Sequence, residues 1–151
     1  MDTASLESAY ERILDLAANG DFAPPAPGEW PVELVLAHLT VNDDLLTTVV
    51  RSVLANMPTP QYDNDQAVDD EHLEAQGSRA ELLDRLRTSS RQLCDLAAQL
   101  GPLDDTPVMV RIKDGDKVVV DNQPMPVARL LDVHCTMHLT AHLSQLEEMR
   151  S

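Results

Sequence analysis

Three histidines at four-residue intervals near the end of the chain constrain its fold more than any other feature. His134, His138 and His142 lie in a stretch without proline or glycine, and leucines surround them at helical spacing. On an α-helix, residues four apart lie one above the other, with Cβ atoms about 6 Å apart. Two imidazoles at that spacing can hold one metal ion. Because one helix offers only one edge of a coordination sphere, a further ligand must come from another segment.

His38 is the candidate for that further ligand. It lies early in a second apolar helical stretch, with Leu34, Val35 and Val41 three or four residues away. A single histidine on an apolar face is more often a hydrogen-bonded core residue than a metal ligand. Four buried imidazoles are hard to satisfy without a metal, however. The set therefore favours a metal site over a bundle of packed, neutral histidines.

Composition predicts one domain over residues 1–151. The chain is 43% hydrophobic but only 3% aromatic, so leucine, valine and alanine must build the core, as in an all-α bundle. Its net charge of −15 makes nucleic acid and anionic membranes poor partners. No signal peptide and no apolar run of about 20 residues is apparent, so we expect a soluble cytoplasmic protein. The two cysteines indicate no disulfide framework, and we expect both to be core thiols.

The chain divides into four predicted helices. They cover residues 4–18, 30–57, 78–100 and a last stretch from about Pro126 to Met149. Trp30-Pro31 marks the start of the second helix, and a Ser78-x-x-Glu81 capping box marks the start of the third. Residues 58–77 are polar and acidic and predict a solvated connector. Residues 108–120 predict a β-hairpin around Asp114-Gly115-Asp116, between the third and fourth helices.

The length of the acidic connector decides the predicted topology. The second helix is about 39 Å long, and twenty extended residues can span that distance. The connector can therefore cross over, which leaves the second and third helices parallel and the fourth antiparallel to the second. The prediction is an all-α four-helix bundle with one long crossover. In this arrangement His38 lies level with His138 and His142, while His134 is about 6 Å further along the axis.

Several other residues are candidates for supporting roles. His134 can hydrogen-bond a ligand, line a pocket or belong to the core. Asn42, one turn after His38, can bind a ligand or substrate or meet a neighbouring helix. Gln145 can orient His142 or face solvent, and Trp30 can form a pocket wall or seal the start of its helix.

No catalytic residue can be assigned from the sequence. Asp43 and Asp44 fall off the His38 face, and no other carboxylate lies clearly on an inner stripe to act as a general base.

These residues together resemble the DinB/YfiT-like family of metal-binding four-helix bundles, including its mycothiol-dependent maleylpyruvate isomerase-like branch. The matching motifs are Gly28-Glu-Trp30, then His38, then His138-x-x-x-His142-x-x-Gln145. The resemblance implies one divalent ion (zinc, nickel or iron) bound by three histidines, and a homodimer. It also implies a small-molecule substrate, with mycothiol, bacillithiol or glutathione as cosubstrate.

Two functional hypotheses follow. In the first, the metal site activates a low-molecular-weight thiol or water, and the protein is a thiol S-transferase or isomerase. In the second, the protein is a non-catalytic metal-binding or stress-related bundle.

Overall fold

Helices account for most of the chain in the computed structural model, which describes residues 1–151. In chain order the elements are α1 (Ala4–Asn19), α2 (Val32–Leu54), β1 (Gln61–Asp63), a 3₁₀ turn (Asp65–Val68), α3 (Asp70–Glu74), α4 (Arg79–Ala98), a second 3₁₀ turn (Gly101–Leu103), β2 (Pro107–Asp114), β3 (Lys117–Pro126), α5 (Val127–Val133), a π-helical segment (His134–Leu139) and α6 (Thr140–Glu148). None of the helices is long and apolar enough to cross a membrane.

The start of α4 follows from its capping box. Ser78 Oγ accepts a hydrogen bond from the Glu81 backbone N–H at 3.3 Å, and the Ser78 hydroxyl donates to the Glu81 carboxylate at 3.0 Å. These bonds satisfy one of the free donors of the first turn. The predicted start of this helix at Ser78 is confirmed.

The sequence pattern predicts one continuous α-helix at the end of the chain, but the structure shows an interruption. His134–Leu139 forms a π-helical segment between α5 and α6. Such segments are rare and often occur at functional sites. Here it carries two of the histidines, and it changes how their side chains project from the helix.

The sheet has three strands instead of the predicted two. β2 and β3 form the expected antiparallel hairpin, and β1 from the acidic connector pairs in parallel with β2, with Tyr62 opposite Val110. The prediction of a solvated connector holds only in part, since most of its residues are exposed but Tyr62, Ala67 and Leu73 are buried. These apolar residues anchor an otherwise polar segment against α2.

Side-chain pairs record how the long helices lie against each other. Arg79 at the start of α4 pairs with Glu33 at the start of α2, at 3.1 Å. Ten residues further along, Ser89 Oγ donates to Asp43 Oδ2 at 3.1 Å. The two pairs are ten residues apart on both helices, so α2 and α4 run side by side in the same direction. The first helix, α1, packs against both α4 and α6. The core between them consists mainly of leucine and valine.

Thr47→Val is expected to stabilise the protein by about 1 kcal/mol. The Thr47 hydroxyl is buried and has no hydrogen-bond partner, and valine has nearly the same shape without the polar atom. Urea unfolding of the two proteins measures the difference. Thr40→Val is the matched control, because the buried Thr40 hydroxyl donates to the Leu36 carbonyl at 2.8 Å. Equal gains from both substitutions would contradict the assignment.

Candidate metal centre

The fold brings the Nε2 atoms of three histidines together. His38 Nε2 lies 2.6 Å from His138 Nε2, and His142 Nε2 lies 3.1 Å from the same atom. The three residues each offer one ring nitrogen to a group whose atoms all lie within 4.8 Å of one another. Three neutral imidazoles are a donor set that suits zinc, nickel or iron. The residues present therefore fit a divalent metal ion.

His38 is oriented by the connector that follows α2. Its Nδ1 lies 2.5 Å from the carbonyl oxygen of Ala67, in the 3₁₀ turn of that connector. A carbonyl oxygen can only accept, so Nδ1 carries the proton and donates. The His38 Nε2 lone pair is consequently free to face the other two rings.

His142 is oriented in the same way from within its own helix. Its Nδ1 lies 2.8 Å from Gln145 Oε1, so Nδ1 donates and Nε2 presents its lone pair. Hydrogen bonds of this kind to the far nitrogen are typical of metal-binding histidines, because they set the tautomer and the ring direction. Gln145 thus lies where it orients His142.

His138 lacks such a partner and depends on His134. The two Nδ1 atoms lie 3.0 Å apart, across one turn of the π-helical segment. His134 is buried and does not belong to the group of three Nε2 atoms. The structure therefore places it behind His138.

A buried hydrogen-bond network continues from His134 into the core. Asn42 Nδ2 lies 3.3 Å from His134 Nδ1, and the Tyr62 hydroxyl donates to Asn42 Oδ1. On the other side, His134 Nε2 lies 2.6 Å from the Tyr10 hydroxyl, which donates to Asp43 Oδ1. Asn42 therefore contacts His134 and does not reach the three-histidine cluster itself.

Asp43 corrects the expectation that no carboxylate faces the interior. It is fully buried, although it does fall off the His38 face. It faces α1 and α4 instead, because it continues a stripe formed by Leu36, Leu39, Leu46 and Val50. The sequence did contain a signal for this burial, because Asp43 occupies a position of the apolar stripe of α2.

Three other contributors were missed from the sequence. Tyr10 was visible only as an apolar member of the α1 stripe, although its hydroxyl contacts both His134 and Asp43. Tyr62 was a single aromatic in an acidic stretch, which could have marked a buried point of that stretch. The Ala67 carbonyl is a backbone group, and no residue pattern identifies it.

Burial keeps the four histidines neutral. Burial and the charge of His142 lower the pKa of His38 to about 4, and burial with neighbouring histidines lowers the pKa of His134 to about 3. The pKa values of His138 and His142 are also lowered, mainly by burial. Neutral imidazoles are the form that binds metal.

Asp43, by contrast, is shifted toward its protonated form. Burial raises its pKa to about 8, and the hydrogen bonds from Tyr10 and Ser89 oppose that shift. Burial likewise raises the pKa of the Cys94 thiol to about 12, and raises that of Cys135. Both cysteines are buried, as expected of core thiols.

Trp30 lies beside the cluster and lines a cavity. Its ring centre is 5.4 Å from that of His38, and its Nε1–H donates to Asp70 Oδ1 at 3.1 Å. The cavity has a volume of about 610 Å³ and is also lined by Pro24, Pro25, Glu29, Gln145 and Met149. Trp30 and Gln145, which contact His38 and His142, both line this cavity, whereas the three histidines themselves do not.

These features define a mostly helical protein with a candidate three-histidine metal centre. The sequence matches the DinB superfamily over residues 5–146, and the chain belongs to that superfamily. Comparison with curated proteins found no match. Comparison with solved structures found none either.

Proposed function

We propose that this protein binds one divalent metal ion through the Nε2 atoms of His38, His138 and His142. The convergence of three Nε2 atoms carries the proposal. The Nδ1 atoms of His38 and His142 are held by acceptors, so lone pairs face each other within the cluster. A divalent cation between these atoms is attracted by all three lone pairs. Superfamily membership adds independent support.

We infer further that the site acts on a small molecule. A divalent ion held by three neutral imidazoles keeps an open position and lowers the pKa of a bound water or thiol. The cavity beside Trp30 and Gln145 is large enough for a small molecule. The proposed activity is a thiol S-transferase or isomerase, with mycothiol, bacillithiol or glutathione as cosubstrate. The identity of the thiol comes from the family resemblance.

Metal binding without turnover is the alternative function. One observation favours it. The buried carboxylate of Asp43 lies on the far side of His134 and contacts no member of the cluster, so it is not placed to act as a general base at the metal. Dependence of turnover on an added thiol separates the two functions.

Metal analysis tests the proposal most directly. Protein purified without a histidine tag or chelator is expected to contain about one zinc, nickel or iron per chain. The double variant His38→Ala, His142→Ala should contain none, because two of the three donors are gone. His72→Ala is the control, since this histidine lies outside the cluster. Wild-type protein that stays metal-free after incubation with each ion would refute the proposal.

The arrangement of the long helices is proposed to be a four-helix bundle with one long crossover. The pairs Glu33–Arg79 and Asp43–Ser89 support parallel α2 and α4. The contacts of His38 with His138 and of Asn42 with His134 support an antiparallel last helix. A cytoplasmic homodimer that contacts neither nucleic acid nor membrane also stays a proposal. Light scattering after size exclusion tests the dimer.

A further inference from the structure

We propose that a buried hydrogen-bond relay sets the tautomer of His138 and so aims its Nε2 lone pair into the three-histidine cluster; the relay consists of Tyr62, Asn42, His134, Tyr10 and Asp43. This inference deepens the proposed metal site and depends on it for its functional meaning. The residues of the relay come from four separate segments, namely α1, α2, β1 and the π-helical segment.

His138 is the member of the cluster whose tautomer is not fixed locally. His38 donates to a backbone carbonyl and His142 to a side-chain amide oxygen, whereas His138 Nδ1 meets another imidazole nitrogen. Either of the two Nδ1 atoms can carry the proton between them. The tautomer of His138 is therefore decided by the proton on His134.

Asn42 and Tyr62 determine where that proton lies. The Tyr62 hydroxyl donates to Asn42 Oδ1, so the amide nitrogen of Asn42 is turned toward His134. An amide nitrogen only donates, which makes His134 Nδ1 an acceptor. His138 Nδ1 must then carry the proton, and its Nε2 is left as a lone pair.

Tyr10 and Asp43 hold the opposite side of the His134 ring. With Nδ1 as acceptor, His134 Nε2 carries the proton and donates to the Tyr10 oxygen, and the Tyr10 hydroxyl donates to Asp43 Oδ1. The direction does not depend on whether Asp43 is charged. A proton on Asp43 Oδ2 can be donated to Ser89 Oγ, whose own hydrogen can turn to the Leu86 carbonyl at 3.4 Å.

Nitrogen-15 NMR of the histidine rings in metal-free wild-type protein at neutral pH tests the relay without any substitution. We expect His38, His138 and His142 with the proton on Nδ1, and His134 with the proton on Nε2. A proton on His138 Nε2 or on His134 Nδ1 would overturn the relay. This readout holds whether or not metal binds, so it separates failure of the relay from failure of the proposed metal site.

Asn42→Asp reverses the relay with little change of shape. A carboxylate accepts from both Tyr62 and His134, so the His134 proton moves from Nε2 to Nδ1. The Tyr10 hydroxyl turns to donate to His134 Nε2, and a protonated Asp43 donates to the Tyr10 oxygen. The proton of His138 is then expected to move from Nδ1 to Nε2. Zinc affinity, measured by competition with a chromophoric chelator, should fall about 10- to 100-fold. A folded Asn42→Asp protein with wild-type affinity and wild-type tautomers would refute the proposal.

Tyr62→Phe keeps the test decisive if the added carboxylate prevents folding. It removes only the hydroxyl that holds the Asn42 oxygen, so the amide can turn and the His138 ring should show both tautomers. Unchanged tautomers in this variant would also refute the relay. Thr47→Val is the matched control, a buried change on α2 outside the relay, and it should leave zinc affinity and all four rings unchanged.

Discussion

His138→Ala is expected to abolish the stabilisation that a divalent ion gives the wild-type protein. Its Nε2 is the atom that both other rings approach, so its loss removes the central one of three donors and leaves only two imidazoles for the ion. At a free-ion concentration about a thousandfold above Kd, binding to the folded state adds about 4 kcal/mol. For a domain of this size that corresponds to a rise in Tm of roughly 10 °C. Calorimetry with and without zinc or nickel measures the effect.

His72→Ala is the control for that experiment, because it removes a histidine that lies outside the cluster. It should keep the full metal-dependent rise in Tm. If the His138→Ala variant showed the same rise as wild type, the ion would be binding elsewhere, and the three-histidine assignment would be wrong.

The metal-free protein is expected to lose several kcal/mol of stability as the pH falls from about 6.5 to 4. Burial lowers the pKa of His38 to about 4 and of His134 to about 3, and it also lowers the pKa values of His138 and His142. Over this range the unfolded chain takes up protons that the folded chain does not, so acid favours unfolding. Each unit of pKa shift is worth about 1.4 kcal/mol.

Asp43 acts in the opposite direction, and the sum sets the pH of maximum stability. Burial raises its pKa to about 8, so between about pH 4 and 8 the folded state holds a proton that the unfolded chain has released. Below pH 6.5 four histidines outweigh this one carboxyl group, and stability rises with pH. Above pH 6.5 the histidines no longer contribute, and the effect of Asp43 makes stability decline.

Urea unfolding in the presence of a chelator, from pH 4 to pH 8, measures this profile. A maximum near pH 6.5 is expected in metal-free wild-type protein. Asp43→Asn should weaken the decline above that pH and keep the loss in acid. A protein that is most stable at pH 4 would contradict the neutral, buried state of the histidines.

Local patterns were sufficient for the four long helical stretches, apart from the π-helical segment in the last one, and for the histidine spacing. The capping box at Ser78 and the proline and glycine positions mark ends that depend on nearby backbone groups, so a short window of sequence contains the necessary information. The spacing of His138 and His142 and the apolar stripe around His38 were likewise local. The length of the acidic connector then predicted that His38 lies level with His138 and His142, because the rise of a helix and the reach of an extended chain are general constants.

The supporting contacts could not be obtained in that way. His38 is oriented by a backbone carbonyl at Ala67, and β1 joins the sheet through a pairing between residues 48 positions apart. The direction of protons around His134 depends on partners from α1, α2 and β1 at once, which no window of sequence contains. Local spacing therefore identified the residues of the candidate centre, whereas which atom each ring presents depends on long-range contacts that exist only in the folded chain.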